Sequence, residues 1–463
     1  MKRVAIIGGG ISGLAAAFAL EERHQAGESL TYVVYEASPR FGGVLVTEQV
    51  DGCLVEAGPD SFLTEKPWAA GLCRRIGLEG QLIGSNDDDR KTYILVKGKL
   101  TPLPDGLMFM VPTQLAPALL SPLFSSGTKF RMVREWRFSP RQSNGDESVA
   151  SLVERHYGAE MVDRLADPLL SGVYGGAAAE LSVRAVLPRF AEMEAKHGSL
   201  ARGILAARKN LEQSEAGPRP IFTSLKNGMQ QLPESILAKL APDALHPSSV
   251  VQALQRQDGG WIVSAGYASD HFNAVIVATS APVAASLLEM ASPDLSAELR
   301  TISYSSSVTV ALGFCKEVRS SLPPGFGFLV PRSEGKRMLA TTFVHNKFPH
   351  RAPEDRALLR CFLGGSRDEQ ALQLPDEEIL GIVREELRQI LGLTAEPLFA
   401  RVYRWKGAMA QYTVGHLERI ERIEKLRKQL PGLALAGNGY RGIGVADCVR
   451  SGEQAAAEVV AAE

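Results

Sequence analysis

A four-residue apolar run, Val4-Ala5-Ile6-Ile7, breaks directly into Gly8-Gly9-Gly10-Ile11-Ser12-Gly13. No other junction in the chain limits the fold so narrowly. The β-branched run reads as a strand buried on both faces of a parallel sheet. The Ala-rich stretch from Leu14 to Leu20 reads as a helix. Between them Gly8 permits the tight turn, Gly10 lets the backbone approach a pyrophosphate, and Gly13 lets helix and strand pack closely. The helix start offers unpaired N–H groups and a positive dipole end to that pyrophosphate. A second strand, Thr31 to Tyr35, ends at Glu36, near the roughly 20-residue spacing at which an acid accepts from ribose hydroxyls. Its charge disfavours a 2′-phosphate. The bland alternative is a glycine-rich strand–helix turn with no ligand.

The far end repeats the pattern. Leu433-Ala434-Leu435-Ala436 is an apolar strand, Gly437-Asn438-Gly439-Tyr440 turns, and Gly442-Ile443-Gly444-Val445 opens a helix running to about Val460. Such a helix end favours negative charge on a reduced ring beside it. A middle stretch adds a weakly alternating strand from Ser248 to Leu254, a hairpin return over Gly260 to Ser264, and a buried strand from Asn273 to Ser280. Three pieces far apart in sequence are thus expected to assemble one nucleotide domain, with other modules inserted between them.

Composition excludes several classes. Of 463 residues, 45% are hydrophobic and 22% charged, and the net charge is −1. That is ordinary globular composition, without the basic excess of a nucleic-acid binder. The five cysteines, Cys53, Cys73, Cys315, Cys361 and Cys448, form no CxxC pair. Neither a disulfide framework nor a metal site is expected, and a reducing, cytoplasmic compartment fits. No signal peptide and no spanning apolar segment is read.

The run after Glu36, Ala37-Ser38-Pro39-Arg40-Phe41-Gly42-Gly43, resembles the Arg-x-Gly-Gly extension of flavin amine oxidases. The resemblance favours FAD over NAD, with Arg40 either facing phosphate or lying as a solvated loop arginine. Amine oxidases, carotenoid desaturases and porphyrinogen oxidases share this frame, so the insertions must discriminate. Val55 to Phe62, Asp167 to Gly176 with its Ser-Gly-Val-Tyr core, Gly325 to Pro331, Arg404-Trp405 with Gln411 to His416, and Gly442 to Gly452 resemble ordered blocks of the FAD-dependent, oxygen-dependent porphyrinogen oxidases. One departure is Ala410, where the family often has proline.

The resemblance implies an α/β fold. It consists of a two-dinucleotide-binding-type FAD domain (1–85, 216–285, 420–463), an inserted α+β substrate domain (86–110, 286–419) and a helical domain (111–215). It implies flavin contacts from Gly8, Gly9, Gly10, Ile11, Ser12, Gly13, Glu36, Arg40, Gly43, Val44, Gly58, Pro59, Asp60, Ser61, Val250, Trp405, Ile443, Gly444 and Val445. A tetrapyrrole would lie beside Phe326, Gly327, Leu329 and Gly172, with Thr342 and Phe362 as looser matches. The family's propionate-binding arginine falls on Thr92, leaving Arg90 and Lys91 as neighbouring anchors. Their alternative is to answer the acidic run Asp87-Asp88-Asp89 at the surface. The implied reaction is hydride loss from a saturated meso carbon to flavin, in three two-electron cycles, with oxygen as acceptor and hydrogen peroxide released. No general base is named; His345 and His416 are weighed and read as structural. Lys129, Arg131, Arg134, Trp136 and Arg137 follow a proline-broken apolar stretch ending at Phe124. This is either a peripheral contact on the inner face of the cell membrane or a helical cap over the cavity. Ferrochelatase, another haem-pathway enzyme, and a second copy of the chain are the remaining candidate partners. An amine oxidase, a carotenoid desaturase and a non-enzymatic FAD-stabilised scaffold stay as alternatives.

Overall fold

The computed structural model describes residues 1–141, 145–212 and 220–461. The turn expected from Glu215 and the module boundary expected at 215–216 lie outside the described residues. The chain opens with β1 (Lys2–Ile7), α1 (Ile11–Gln25) and β2 (Leu30–Tyr35), then β3 (Thr92–Val96) and β4 (Lys99–Pro102). Helices follow: α2 (Ser126–Glu135), α3 (Val149–Tyr157), α4 (Asp167–Tyr174), α5 (Pro188–His197) and α6 (Leu200–Glu212). A π-helical turn, Val162–Ala166, leads into α4. The chain returns through β5 (Leu245–His246), β6 (Val251–Gln257), β7 (Gly260–Ala265), β8 (Ala268–Phe272) and β9 (Ala274–Val277). Next come β10 (Tyr304–Cys315), β11 (Gly327–Leu329), β12 (Ala340–Phe343), β13 (Arg356–Gly364), α7 (Asp376–Leu391) and β14 (Phe399–Ala410). Last are α8 (His416–Arg427), β15 (Leu433–Leu435) and α9 (Val445–Ala461).

The first sheet is parallel, in the order β5-β2-β1-β9-β15. In β1, Val4 and Ile6 join one apolar cluster with α1 and α9, while Ala5 and Ile7 join another on the opposite face. Burial on both faces is why that strand shows no polar alternation. The two terminal helices touch backbone to backbone: a β-carbon on Gly452 would lie 2.1 Å from the Ser12 carbonyl oxygen. The two glycine signatures, at opposite ends of the chain, therefore meet side by side. The middle segment carries one strand more than expected, because β8 completes a β6-β7-β8 meander.

The second sheet is mixed, in the order β14-β10-β13-β12-β11-β3-β4, with β11–β3 the parallel pair. One face packs Leu95, Val310, Phe328, Phe343 and Cys361 against Ile379, Val383 and Leu387 of α7. Ile94 on the other face is buried in the helical cluster, with Leu329 packed against it.

Candidate active site

The register defines the open face of the second sheet. Residues paired directly across antiparallel strands point the same way. One lane therefore runs Tyr403, Thr309, Phe362, Ala340, Leu329 and Ile94 across five neighbouring pairings. The adjacent lane runs Arg401, Ala311, Arg360, Thr342, Gly327 and Thr92. Phe362, Thr342 and Leu329 are only half-buried, whereas Phe328, Thr341 and Cys361 on the reverse face are buried. Three expected substrate residues, Gly327, Thr342 and Phe362, thus share one face with Leu329. Phe326 precedes the strand; its N–H donates to the Lys91 carbonyl at 2.8 Å, and its own carbonyl accepts from the Phe343 N–H at 2.8 Å. Gly172 sits on α4 in the cap, exposed, with open space where a side chain would be. The side chains of Arg90 and Lys91 are exposed, and neither has an ion pair with Asp87 or Asp88.

The 57–61 segment crosses the same face. The Trp405 indole N–H donates to the Ala57 carbonyl at 2.8 Å. The Arg360 guanidinium bonds the Gly58 carbonyl and lies 3.8 Å from an Asp60 oxygen. Gly58 is needed for close approach: a β-carbon there would lie 1.9 Å from the Val44 carbonyl oxygen. Asp60 also takes Lys347 Nζ at 2.9 Å and the Ser61 hydroxyl at 2.7 Å. Burial alone would raise the Asp60 pKa, but Lys347 and Arg360 outweigh it and hold the carboxyl well below the usual range. Arg360 and Lys347 escaped the sequence reading. An arginine inside the apolar run Ala357-Leu358-Leu359-Arg360-Cys361 was the available signal, since a charge in a buried strand needs a partner.

At the glycine turn, Gly8 has φ +106°, and a β-carbon on Gly13 would lie 1.9 Å from the Gly8 carbonyl oxygen. A β-carbon on Gly10 would meet nothing within 4 Å. The start of α1 has no capping side chain and no acid in its first turn, so Ile11 and Ser12 present uncompensated N–H groups. Gly43 passes 3.3 Å (β-carbon position) from the Gly10 Cα. Glu36 accepts the Gly9 N–H at 2.7 Å and the Ser38 N–H at 2.8 Å, which orients its carboxylate. The Ser249 N–H donates to the Glu36 carbonyl at 2.8 Å, bringing the half-exposed Val250 to the same edge. Arg40 turns back on its own loop, bonding the carbonyls of Phe41 at 2.9 Å, Leu45 at 3.1 Å and Gly43. It acts as a loop clamp in this structure. An open cradle, an uncapped helix start and an oriented acid fit a dinucleotide. Ile443, Gly444 and Val445 lead into α9, which lies against α1.

The flavin-containing amine oxidoreductase profile matches residues 11–460. The chain belongs to that family. It is an FAD-dependent oxidoreductase, in keeping with the cradle just described. It is 34% identical to coproporphyrinogen III oxidase of Bacillus subtilis (strain 168), covering 99% of this chain and 98% of that one. It is 28% identical to protoporphyrinogen oxidase 2, chloroplastic/mitochondrial, of Arabidopsis thaliana, over 99% and 94% of the two chains. A crystal structure from Exiguobacterium sp. 255-15, provisionally named protoporphyrinogen oxidase, superposes with TM-score 0.88 at 31% identity, over 99% and 98% of the chains.

The two weighed histidines are both buried. His345 Nδ1 is bonded by the Leu358 N–H at 3.1 Å, and His416 Nε2 lies 2.9 Å from the Tyr440 carbonyl. Burial pushes each down to about 4, so both are neutral at neutral pH and poor proton donors. Among the described residues no cluster suits a metal ion, and no helix is long and apolar enough to cross a membrane.

Proposed function

We propose that this chain oxidises a porphyrinogen to its porphyrin in haem biosynthesis, with oxygen as the electron acceptor. The observation that carries this reading is the sheet face on which half-buried Phe362, Thr342 and Leu329 stand with Gly327 in two adjacent lanes. It lies between the 57–61 segment and the helical cap. The FAD-facing residues in this reading are Gly8 through Gly13, Glu36, Gly43, Val44, Gly58 through Ser61, Val250, Trp405 and Ile443 through Val445, with Arg40 holding their loop. Bound FAD supplies the two-electron acceptor. The protein's part is to orient one saturated carbon at near-attack distance, roughly 3–3.5 Å, and to exclude water. Neither task needs a general base on the sheet face. The three-module division at 85–86, 110–111, 215–216, 285–286 and 419–420 belongs to the same reading.

Coproporphyrinogen III is the expected better substrate. The B. subtilis relative carries that name at 34%, against 28% and 30% for the two Arabidopsis protoporphyrinogen oxidases. Arg90 and Lys91 are exposed one strand from Gly327 and suit a tetracarboxylate. The test is anaerobic mixing of holoprotein with each porphyrinogen. Bleaching of the flavin band near roughly 450 nm, then porphyrin fluorescence on admitting air, is expected with coproporphyrinogen III first. Persistent yellow flavin with both removes the reading.

A peripheral membrane contact is proposed for the outer face of α2. Phe130 is 70% exposed and Val133 42%, beside exposed Arg131 and Arg134. This pairing of apolar and basic groups suits an anionic bilayer surface. Co-sedimentation with phosphatidylglycerol vesicles but not phosphatidylcholine vesicles is expected; equal recovery in both supernatants ends the proposal.

A further inference from the structure

The loop before α9 is pinned at many points, and one hydroxyl holds both its ends. Gly437 and Gly442 have φ +131° and +125°, so the loop makes two left-handed bends. The Gly437 N–H donates to Ser451 Oγ at 3.1 Å. Asn438 Nδ2 donates to the Ala408 carbonyl at 2.8 Å, and its Oδ1 accepts from the Tyr304 hydroxyl at 3.3 Å. The Tyr412 hydroxyl donates to the Asn438 carbonyl at 2.7 Å and accepts the Gly442 N–H at 2.7 Å. Tyr412 therefore closes the loop like a clasp.

The phenol is itself held from its own segment and from the helical cap. Its ring stacks on His416 at 3.9 Å between centroids and 14° between planes, and faces Tyr174 of α4 at 6.2 Å. Its backbone carbonyl accepts the Ser182 N–H at 2.8 Å. The side chain is 2% exposed and belongs to the helical cluster. One residue thus joins the cap helix carrying the Ser-Gly-Val-Tyr motif to the loop that aims α9.

We propose that Tyr412 is a positioning residue for the flavin. Its hydroxyl sets the path from Asn438 to Gly442 and hence the direction in which the first turn of α9 points. This rests on the FAD reading of Ile443, Gly444 and Val445 above. A buried hydroxyl with two partners leaves both unsatisfied when it is deleted, so the loop must relax.

The test compares holoprotein with Tyr412→Phe, which keeps the ring and its stacking. FAD binding is expected to weaken about tenfold, with a changed visible circular-dichroism band and a shifted flavin midpoint potential. Tyr32→Phe is the control: it deletes a buried phenol on β2 of the parallel sheet, bonded to Glu21 at 2.5 Å. It is expected to lower the melting temperature and leave the flavin spectrum unchanged. Should Tyr412→Phe not fold, Asn438→Ala tests the loop from its other side and is expected to act in the same direction. Tyr412→Phe, or Asn438→Ala in its place, with wild-type FAD affinity and superimposable spectra overturns the proposal alone. So does a Tyr32→Phe variant that perturbs the flavin as strongly. A wild-type protein that takes up no FAD overturns both the proposal and the cofactor reading.

Discussion

At the scale of single residues, space and charge make separate predictions. Gly10 faces open space in the protein alone, and its φ of −71° suits any L residue. Gly10→Ala is therefore expected to leave the melting temperature of the apoprotein within about 1 °C of wild type while weakening FAD binding at least about tenfold. Equal FAD affinity in isothermal titration would remove Gly10 from the pyrophosphate cradle. Arg360 is the opposite case. It is 6% exposed and bonds the Gly58 carbonyl beside Asp60. Removing one partner of a buried charge pair costs about 3–5 kcal/mol, because the other charge stays buried. Lys347 still compensates Asp60, which places Arg360→Met at the lower end of that range in urea denaturation. A loss under about 1 kcal/mol would show that water reaches Asp60 and that the segment beside the sheet is not sealed.

At the scale of elements, the helical cap is held by a buried histidine clasp. His156 on α3 places Nδ1 3.2 Å from Glu135 of α2 and Nε2 3.0 Å from Glu194 of α5, and the ring is fully buried. With both carboxylates ionised, the two nitrogens can both donate only as an imidazolium. Arg155 bridges Glu194 and Glu147 beside it, and Glu135 also accepts from the Ser199 hydroxyl at 2.8 Å. Burial works to lower the His156 pKa, but the hydrogen bonds to Glu135 and Glu194 outweigh it and raise it above the usual 6.5. The folded state therefore binds this proton more tightly than the unfolded chain. Its contribution is complete below the unfolded value and is lost as pH climbs through the raised one. Hydrogen exchange in α3 and α5 is expected to quicken with pH beyond the intrinsic amide trend. Protection unchanged between about pH 6 and pH 9 would show that the clasp carries no charge.

Elements also divide what the sequence discloses from what it hides. The β1–α1 junction is legible because every constraint is local: a strand, a turn and a helix within Lys2–Gln25. The cap's proline breaks and the α7 amphipathic pattern are legible for the same reason. The lanes of the second sheet are not. They join Thr92 to Gly327 and Phe362 to Thr309, and no local period encodes register between strands so far apart. Family resemblance located Phe326 to Leu329 without showing which face they use. It missed Arg360 and Lys347, whose roles exist only once the 57–61 segment lies on the sheet.

At the scale of the whole molecule, two further histidines sit at seams between packed elements. His416 stacks on Tyr412 between the cap and the α9 loop, and His345 bonds Leu358 at the seam between the sheet and the Cys53–Glu56 strand. Burial depresses both to about 4 from the usual 6.5. The unfolded chain then binds more protons than the folded one between those values, so stability falls as pH drops through that window. Asp60 resists acid longer, its carboxyl being held low by Lys347 and Arg360 against the effect of burial. The seams are expected to loosen before the 57–61 segment does. The melting temperature, constant above about pH 7 for these two groups, should decline steadily toward pH 4, and flavin fluorescence should rise over the same interval as FAD is released. His416→Gln keeps a side-chain donor for Tyr440 without a titrating ring, and should shrink the decline. A melting temperature that is level from pH 7 to pH 4 would mean that the two rings are not shielded from water, and that the elements around them do not close as tightly as the 2.9 Å contact of His416 with Tyr440 requires.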